Sequence, residues 1–425
     1  MRILTALALT AFVFPGFTLA AAPAAATANA ASAVQFNAAF ECASLGKIDK
    51  LSENEFRIHM LGQQDSRGRN RQATWFFFRM DNVAGRELTL HFTDFVGEYN
   101  GAPSRAPVSA SYRPWFSEDN THWDHVESLA WDAAKDEATF TLRPRGNTIW
   151  LAHVPPYPYT RLQHLLEEIG SSPLVRVEVI GRSAHGRDLN LVTINDLSVP
   201  DENKKVIFLI ARQHPWETGT SIMAEGAMRF LLSDDPVAQQ IRRDTIVKVM
   251  PMMNPDGVAE GAARFNVNGY DTNREWDLVD LRDKQWLTKM PEIWYVKTRV
   301  FAEQARQPIA LLVNLHQDES NEYMDTMVDA EPGKTRIDQL FAILAEKSLF
   351  DPSRKRVTTI QESHGPTNTT LSLWTDAHVP TVMIERRVTA GLRTKRIYTF
   401  EDNQRFGEQL IATMAEVARD KKSQP

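Results

Sequence analysis

Cysteine is all but absent from this sequence: Cys42 is the only one in 425 residues. That excludes an intrachain disulfide and a CxxC metal knuckle. An excess of one charge is also lacking. Lys and Arg number 48 against 54 Asp and Glu, a net charge of −6 without long blocks, which excludes a generic nucleic-acid or anionic-membrane surface. Long polar tracts are missing too. With 43% hydrophobic and 24% charged residues, the composition is that of an ordered globular protein. At roughly 150 residues per domain the length implies two or three units, each able to bury a core without a structural metal.

Long apolar runs are confined to the N-terminus. Arg2 is followed by a mostly apolar stretch from Ile3 to Ala20 and an Ala-rich segment ending Ala28-Asn29-Ala30, the layout of a cleavable secretory signal. Residues 1–30 are therefore expected to be removed, giving a secreted or periplasmic protein. No other window reads as a membrane helix.

Two regions follow. In residues 31–155, strand-like stretches such as Thr74 to Met80, Glu87 to Phe95, Ala138 to Arg143 and Thr148 to Val154 are separated by turns, which predicts an all-β sandwich. The run Pro155-Pro156-Tyr157-Pro158-Tyr159 marks a junction. In residues 156–425, a helix is expected to start with a Thr160/Gln163 capping box and to bury Leu162, Leu165, Leu166 and Ile169. Leu174 to Ile180 and Leu189 to Ile194 read as a hairpin. The apolar runs Val206 to Ile210, Ile246 to Met250, Ile309 to Val313 and Thr381 to Ile384, with helical segments between them, predict an α/β fold: a mixed, mostly parallel sheet covered by helices. Ligand sites in such sheets lie beyond the carboxyl ends of the strands.

Those strand ends carry the polar residues. After the first run come His214 and Glu217, three apart at a strand-to-helix turn, where both can reach one cation; the alternative is a surface His beside a helix-capping Glu. The strand from Ile309 ends near His316, a possible third ligand or simply a hydrogen-bonded loop histidine. The last strand ends in Glu385, either an ion-pair partner of Arg386 or Arg387 or a general base. After Met250 come Asn254-Pro255-Asp256-Gly257, Arg264, and Gly269 to Trp276 (GYDTNREW), where an Asn/Arg pair suits a carboxylate and an Arg suits an oxyanion.

In that order, HPWE at 214–217, NPDGV at 254–258, Arg264, GYDTNREW at 269–276, His316 and Glu385 resemble the carboxypeptidase A-like zinc metallocarboxypeptidases. The nine-residue spacing of Arg264 and Asn273 looks more like the cytosolic carboxypeptidase branch, which carries an N-terminal β-sandwich. That branch typically shows HPGE; here Trp216 replaces the Gly, where its indole either narrows the entrance or packs on the sandwich. The resemblance implies one Zn2+ per chain held by His214, Glu217 and His316. It further implies that Arg264 polarises the scissile carbonyl and that Asn273 and Arg274 bind the terminal carboxylate. Glu385 would activate a zinc-bound water, and Asp271 would accept the other ring N–H of His214. The implied substrate is the C-terminus of a peptide or protein. Alternatives are a zinc amide hydrolase of small N-acyl amino acids, like the aspartoacylase and succinylglutamate desuccinylase group, and a non-catalytic peptide-binding protein. Gln361 to Asp376, including His364, is expected to line the side-chain pocket, and Arg387 is a candidate for favouring an acidic terminal residue. Tyr270 and Tyr323 are the candidates for a tyrosine over the substrate, and the oligomeric state is left open.

Overall fold

Strands that are apolar on both faces need cover on both faces, and the chain supplies it. The computed structural model describes residues 32–104, 108–359 and 368–419; the expected signal segment, residues 1–30, and His364 lie outside them. From Val34 onward the chain clusters as one unit. Its centre is an eight-stranded sheet in the order Val175–Arg182, Asp188–Ile194, Thr245–Met250, Lys205–Ile210, Ile309–Asp318, Thr381–Arg387, Tyr323–Thr326 and Thr358–Thr359. The four strands from Thr245–Met250 to Thr381–Arg387 run parallel. Antiparallel pairings flank them, including the expected hairpin of Val175–Arg182 with Asp188–Ile194.

Alternation along one strand shows how the layers form. Ile207 and Leu209 pack with Ile222, Met223, Leu410 and Met414, from the helices Thr218–Leu231 and Phe400–Ala418. Val206, Phe208 and Ile210 pack with Ile293, Val296, Val300 and Leu373, from the helices Pro291–Arg306 and Thr369–Ala377. Successive side chains of a strand point to opposite faces, so an unbroken apolar run serves two cores.

The all-β part is two five-stranded sheets. One holds Gln35–Asn37, Phe77–Asp81, Thr148–Ala152, Trp115–Ser117 and Asp124–His125; the other holds Ala130–Asp132, Glu137–Leu142, Leu88–Thr93, Glu55–His59 and Ile48–Lys50. The aromatic run at 75–78 is shared. Phe76 and Phe78 enter the sandwich interior with Phe92 and Phe140, whereas Trp75 and Phe77 join the core of the α/β part. The run is therefore not sandwich core alone; its alternate residues tie the two parts together.

The helix after the Pro-rich junction is Tyr159–Gly170 and buries Leu162, Leu165, Leu166 and Ile169 as expected. The expected capping box does not form: Pro158 is the N-cap without a side-chain cap, and the Thr160 hydroxyl donates instead to Glu41 Oε2 at 2.6 Å.

Trp216 packs on the sandwich. Its indole meets the His153 ring edge-to-face at 5.3 Å, and that ring also stacks on Tyr112 at 4.9 Å. Neither His153 ring nitrogen has a hydrogen-bond partner among the described residues, and burial lowers its pKa from 6.5 to about 3. An imidazole that is neutral when folded and protonates when unfolded contributes stability above the unfolded pKa and loses it as pH falls. His153→Phe is therefore expected to flatten the loss of stability below pH ~6.5, narrowing the gap between pH 7 and pH 5 by about 2 kcal/mol. Urea midpoints across that range check it, and parallel pH profiles for the two proteins would sink it.

Candidate metal centre

The strand Lys205–Ile210 delivers the first two residues of the site. Beyond it Arg212 adopts a left-handed φ of 60°, and its buried guanidinium donates to Pro215 O at 2.7 Å and Tyr157 O at 3.3 Å. This fixes the turn ahead of the helix Thr218–Leu231. Glu217 is the N-cap residue of that helix, yet its side chain makes no capping hydrogen bond, which disposes of the capping alternative. The strand Ile309–Asp318 lies beside Lys205–Ile210 and brings His316 to the same end.

Glu217 faces both histidines. Its Oε1 lies 2.6 Å from His214 Nδ1 and its Oε2 lies 2.9 Å from His316 Nδ1. All three residues are buried, and one ligand atom from each falls within 4.8 Å of the others. The far ring nitrogens are already engaged: His214 Nε2 with Asp271 Oδ1 at 3.1 Å, His316 Nε2 with Gln213 Oε1 at 2.9 Å. Gln213 donates through its own Nε2 to Thr272 O at 2.6 Å, so its Oε1 is an acceptor and His316 Nε2 carries the proton. In the neutral rings both Nδ1 lone pairs then face the Glu217 oxygens. Burial raises the Glu217 carboxyl, but positive charge on the two imidazoles, when they are protonated, outweighs it and holds the carboxyl low. Burial lowers His316, favouring the neutral ring. Converging lone pairs on two imidazoles and an ionised carboxylate, with the far nitrogens tied back, form a donor set that fits zinc.

Asp271 joins this set to its surroundings. Its Oδ2 accepts from Arg264 Nε at 2.6 Å and its Oδ1 accepts from Asn273 N at 2.8 Å. Burial opposes its charge, but Arg264 and His214 hold it well below the usual carboxylate range. Asn273 Oδ1 accepts from Thr369 Oγ1 at 2.8 Å, and Arg274 Nη1 donates to Asn273 O at 2.8 Å. Thr369 Oγ1 in turn receives Gln213 Nε2 at 3.0 Å. One buried amide therefore links a histidine of the metal set to Asn273.

Glu385 sits directly across from His316 in the parallel register of Ile309–Asp318 with Thr381–Arg387. Its Oε2 is buried without a hydrogen-bond partner among the described residues. Burial pushes its carboxyl well above the ordinary value, with Glu217 and Asp318 adding to the rise against Arg264. The ion-pair alternative fails, because its two arginine neighbours pair elsewhere: Arg386 Nη1 donates to Glu322 Oε1, and Arg387 Nε donates to Glu322 Oε2 at 3.4 Å. Arg387 is thus buried in a structural pair, not presented to a substrate. Tyr323 pairs with Glu385 on its other side, while Tyr270 packs edge-to-face on Trp286.

The sequence reading missed Gln213 and Thr369. Gln213 carried one signal, a polar residue between an apolar strand and a histidine; Thr369 carried none. A second group, His185, Asp256 and Glu260, also has ligand spacing. There Arg187 Nη1 reaches Asp256 Oδ1 at 2.7 Å and Glu260 Oε1 at 3.3 Å, so a guanidinium supplies the positive charge.

The sequence matches the zinc carboxypeptidase family over residues 162–335, and the cytosolic carboxypeptidase N-terminal domain over residues 36–154. The chain is thus similar to zinc carboxypeptidases in its second region and to the cytosolic branch's N-terminal domain in its first. The family match contains His214, Glu217, Arg264, Asn273 and His316 and ends before Glu385. The chain is 30% identical over 308 residues to cytosolic carboxypeptidase 2 of Danio rerio, covering 66% of this chain and 40% of that one. It is 30% identical over 258 residues to cytosolic carboxypeptidase 6 of Homo sapiens, covering 57% and 49%. It therefore spans less than half the length of these relatives. In fold it is similar to a metallo-carboxypeptidase from Burkholderia cenocepacia, with a TM-score of 0.77 at 20% identity over 91% of this chain and 99% of that one. A metallo-carboxypeptidase from Pseudomonas aeruginosa gives 0.73 at 22% identity over 91% and 100%.

The comparisons correct one expectation. These relatives are cytosolic carboxypeptidases, and the N-terminal match is to a domain of that branch. The reading of residues 1–30 as a secretory signal, and of the protein as secreted or periplasmic, is overturned. An apolar, Ala-rich composition does not by itself distinguish a leader from another apolar segment.

Partners that orient a metal-binding histidine are worth roughly 10–100-fold in metal affinity. Asp271→Asn and Gln213→Leu are each expected to weaken zinc binding by about that factor, read by competition with a chromophoric chelator. Wild-type affinity in both variants would contradict the assignment of the metal centre to His214 and His316.

Proposed function

We propose that the chain is a zinc-dependent metallocarboxypeptidase that hydrolyses the C-terminal peptide bond of peptides, with an N-terminal domain at residues 31–155 and a catalytic domain at residues 156–425. His214, Glu217 and His316 would hold one zinc ion per chain. When bound, zinc supplies a Lewis acid that makes water more acidic and polarises a carbonyl. The observation that carries the reading is Glu385: a buried carboxylate oxygen without a partner among the described residues, in register beside His316. A group left that way is costly unless it works on a ligand.

The roles of the remaining residues follow from their chemistry. Glu385 takes a proton from the water that attacks the scissile carbonyl carbon. As the C–N bond breaks, it returns that proton to the leaving amine nitrogen. A dication nearby favours the ionised form of Glu385, offsetting the rise caused by burial. Arg264 has its Nε committed to Asp271, and its terminal nitrogens face the developing oxyanion. Arg274 pairs with the substrate's terminal carboxylate, and Asn273, anchored through Thr369, donates to the same group. Requiring that carboxylate is what makes the enzyme an exopeptidase. The names of the cytosolic carboxypeptidase relatives support the same reading.

Glu385→Gln is expected to lower kcat by about 10²–10⁴-fold while the protein keeps its zinc. Mass spectrometry of a peptide library incubated with the wild type, a chelated sample and the variant checks this. Loss of single C-terminal residues in the wild type alone is the expected result. Peptides that all survive a zinc-loaded wild type, with turnover of small N-acyl amino acids instead, would replace this reading by amide hydrolysis.

A further inference from the structure

Between the helices Pro255–Ala259 and Gln285–Lys289 the chain has no helix or strand, yet this stretch carries Arg264, Asp271, Asn273 and Arg274. Such a segment has no backbone ladder of its own to fix where its side chains point. Contacts from elsewhere must set it. The α/β part supplies some, through Gln213 to Thr272 O and Trp216 N to Ala263 O; others come from a small sheet on the all-β part, made of Gln63–Gln64, Arg71–Gln72, Glu98–Tyr99 and Ala102–Pro103.

Gln63 makes the closest of the sheet's contacts. Its Oε1 accepts from Arg264 N at 2.7 Å and from Phe265 N at 2.8 Å, and its Nε2 donates to Phe265 O at 3.0 Å. The same turn reaches further along the segment. Ser66 N donates to Gly269 O at 2.8 Å, and Arg67 Nη2 donates to Glu275 Oε1 at 2.9 Å. Gly269 has φ +77°, and a Cβ there would lie 2.5 Å from Ser66 N, so glycine permits both the turn and the approach. The start, middle and end of the segment are thus each held from outside. Gln63 is itself held in place by its strand, which pairs antiparallel with Arg71–Gln72 in the register Gln63 to Gln72.

An amide side chain meets all three demands at Arg264 and Phe265, because it carries an acceptor with two lone pairs and a donor on separate atoms. We propose that Gln63 is a positioning residue: by clamping the backbone of Arg264 and Phe265 it sets where the Arg264 guanidinium meets the scissile carbonyl. The inference rests on the reading of Arg264 given above. Displacing such a group by about 1 Å is enough to cost orders of magnitude in rate, and the all-β part thereby contributes to turnover without touching the substrate.

The test uses the full-length zinc-loaded protein with Gln63→Met and Gln63→Glu. It measures zinc content, thermal midpoint, kcat and KM on a trimmed peptide, and hydrogen exchange at the Arg264 and Phe265 amides. Gln63→Met is expected to speed exchange at those two amides by about tenfold and lower kcat by about tenfold, with full zinc and KM within about twofold. Gln63→Glu, which keeps an acceptor for both N–H groups, is expected to keep their protection. Unchanged exchange in Gln63→Met overturns the clamp. Faster exchange with unchanged kcat overturns its role in turnover, as does a fall in kcat that tracks lost zinc or lost folding. A wild type that trims no peptide overturns the hydrolase reading itself, whereas the exchange result still decides the clamp.

Discussion

One buried carboxylate, Glu217, lies between two imidazoles, and the rest of the site follows from it. An ionised carboxylate cannot be withdrawn from water without compensating charge or hydrogen bonds, and with the Nδ1 lone pairs of His214 and His316 facing Glu217 at 2.6 and 2.9 Å, a cation held among the three would supply that charge. Those rings must in turn be held with their proton-bearing nitrogens outward. That requirement recruits Asp271 on one side and Gln213 on the other. Asp271 then brings in Arg264, and Gln213 brings in Thr369 and Asn273. Residues proposed for metal binding, oxyanion stabilisation and carboxylate recognition therefore share one hydrogen-bonded network.

The two parts of the chain meet where that network needs support. Alternate residues of the run at 75–78 enter different cores, so the sandwich cannot shift without disturbing the sheet. Trp216, between the two ligands of the HPWE turn, lies edge-to-face on His153. The HPGE pattern that the resemblance implies would put a glycine there. An indole at that position replaces backbone freedom with buried aromatic contact, and its cost is an imidazole that stays unprotonated.

Much of this was legible in the sequence because it lives on strand ends. Apolar runs located the parallel strands, and polar residues just beyond them located His214, Glu217, His316 and Glu385. Asp271 was reached through the family resemblance alone; its Oδ1 lies 3.1 Å from His214 Nε2. Other features depend on contacts distant in sequence. Gln63 meets Arg264 across 201 positions, and Gln213 meets Thr369 across 156; neither pairing has a local signal. Adjacency also misled. Arg387 stands two residues from Glu385, yet Glu322 claims it. Thr160 stands three residues from Gln163, yet Glu41 takes its hydroxyl. The N-terminal segment misled for another reason, since its composition was read without the relatives that contradict export.

The measurement that bears most directly on this account is anomalous diffraction at the zinc absorption edge from crystals of the zinc-loaded protein. The account predicts one strong peak per chain, within bonding distance of His214 Nδ1, His316 Nδ1 and a Glu217 oxygen, at roughly 2.0–2.2 Å. A peak between His185, Asp256 and Glu260 instead, or no peak at His214 and His316 under saturating zinc, would contradict it.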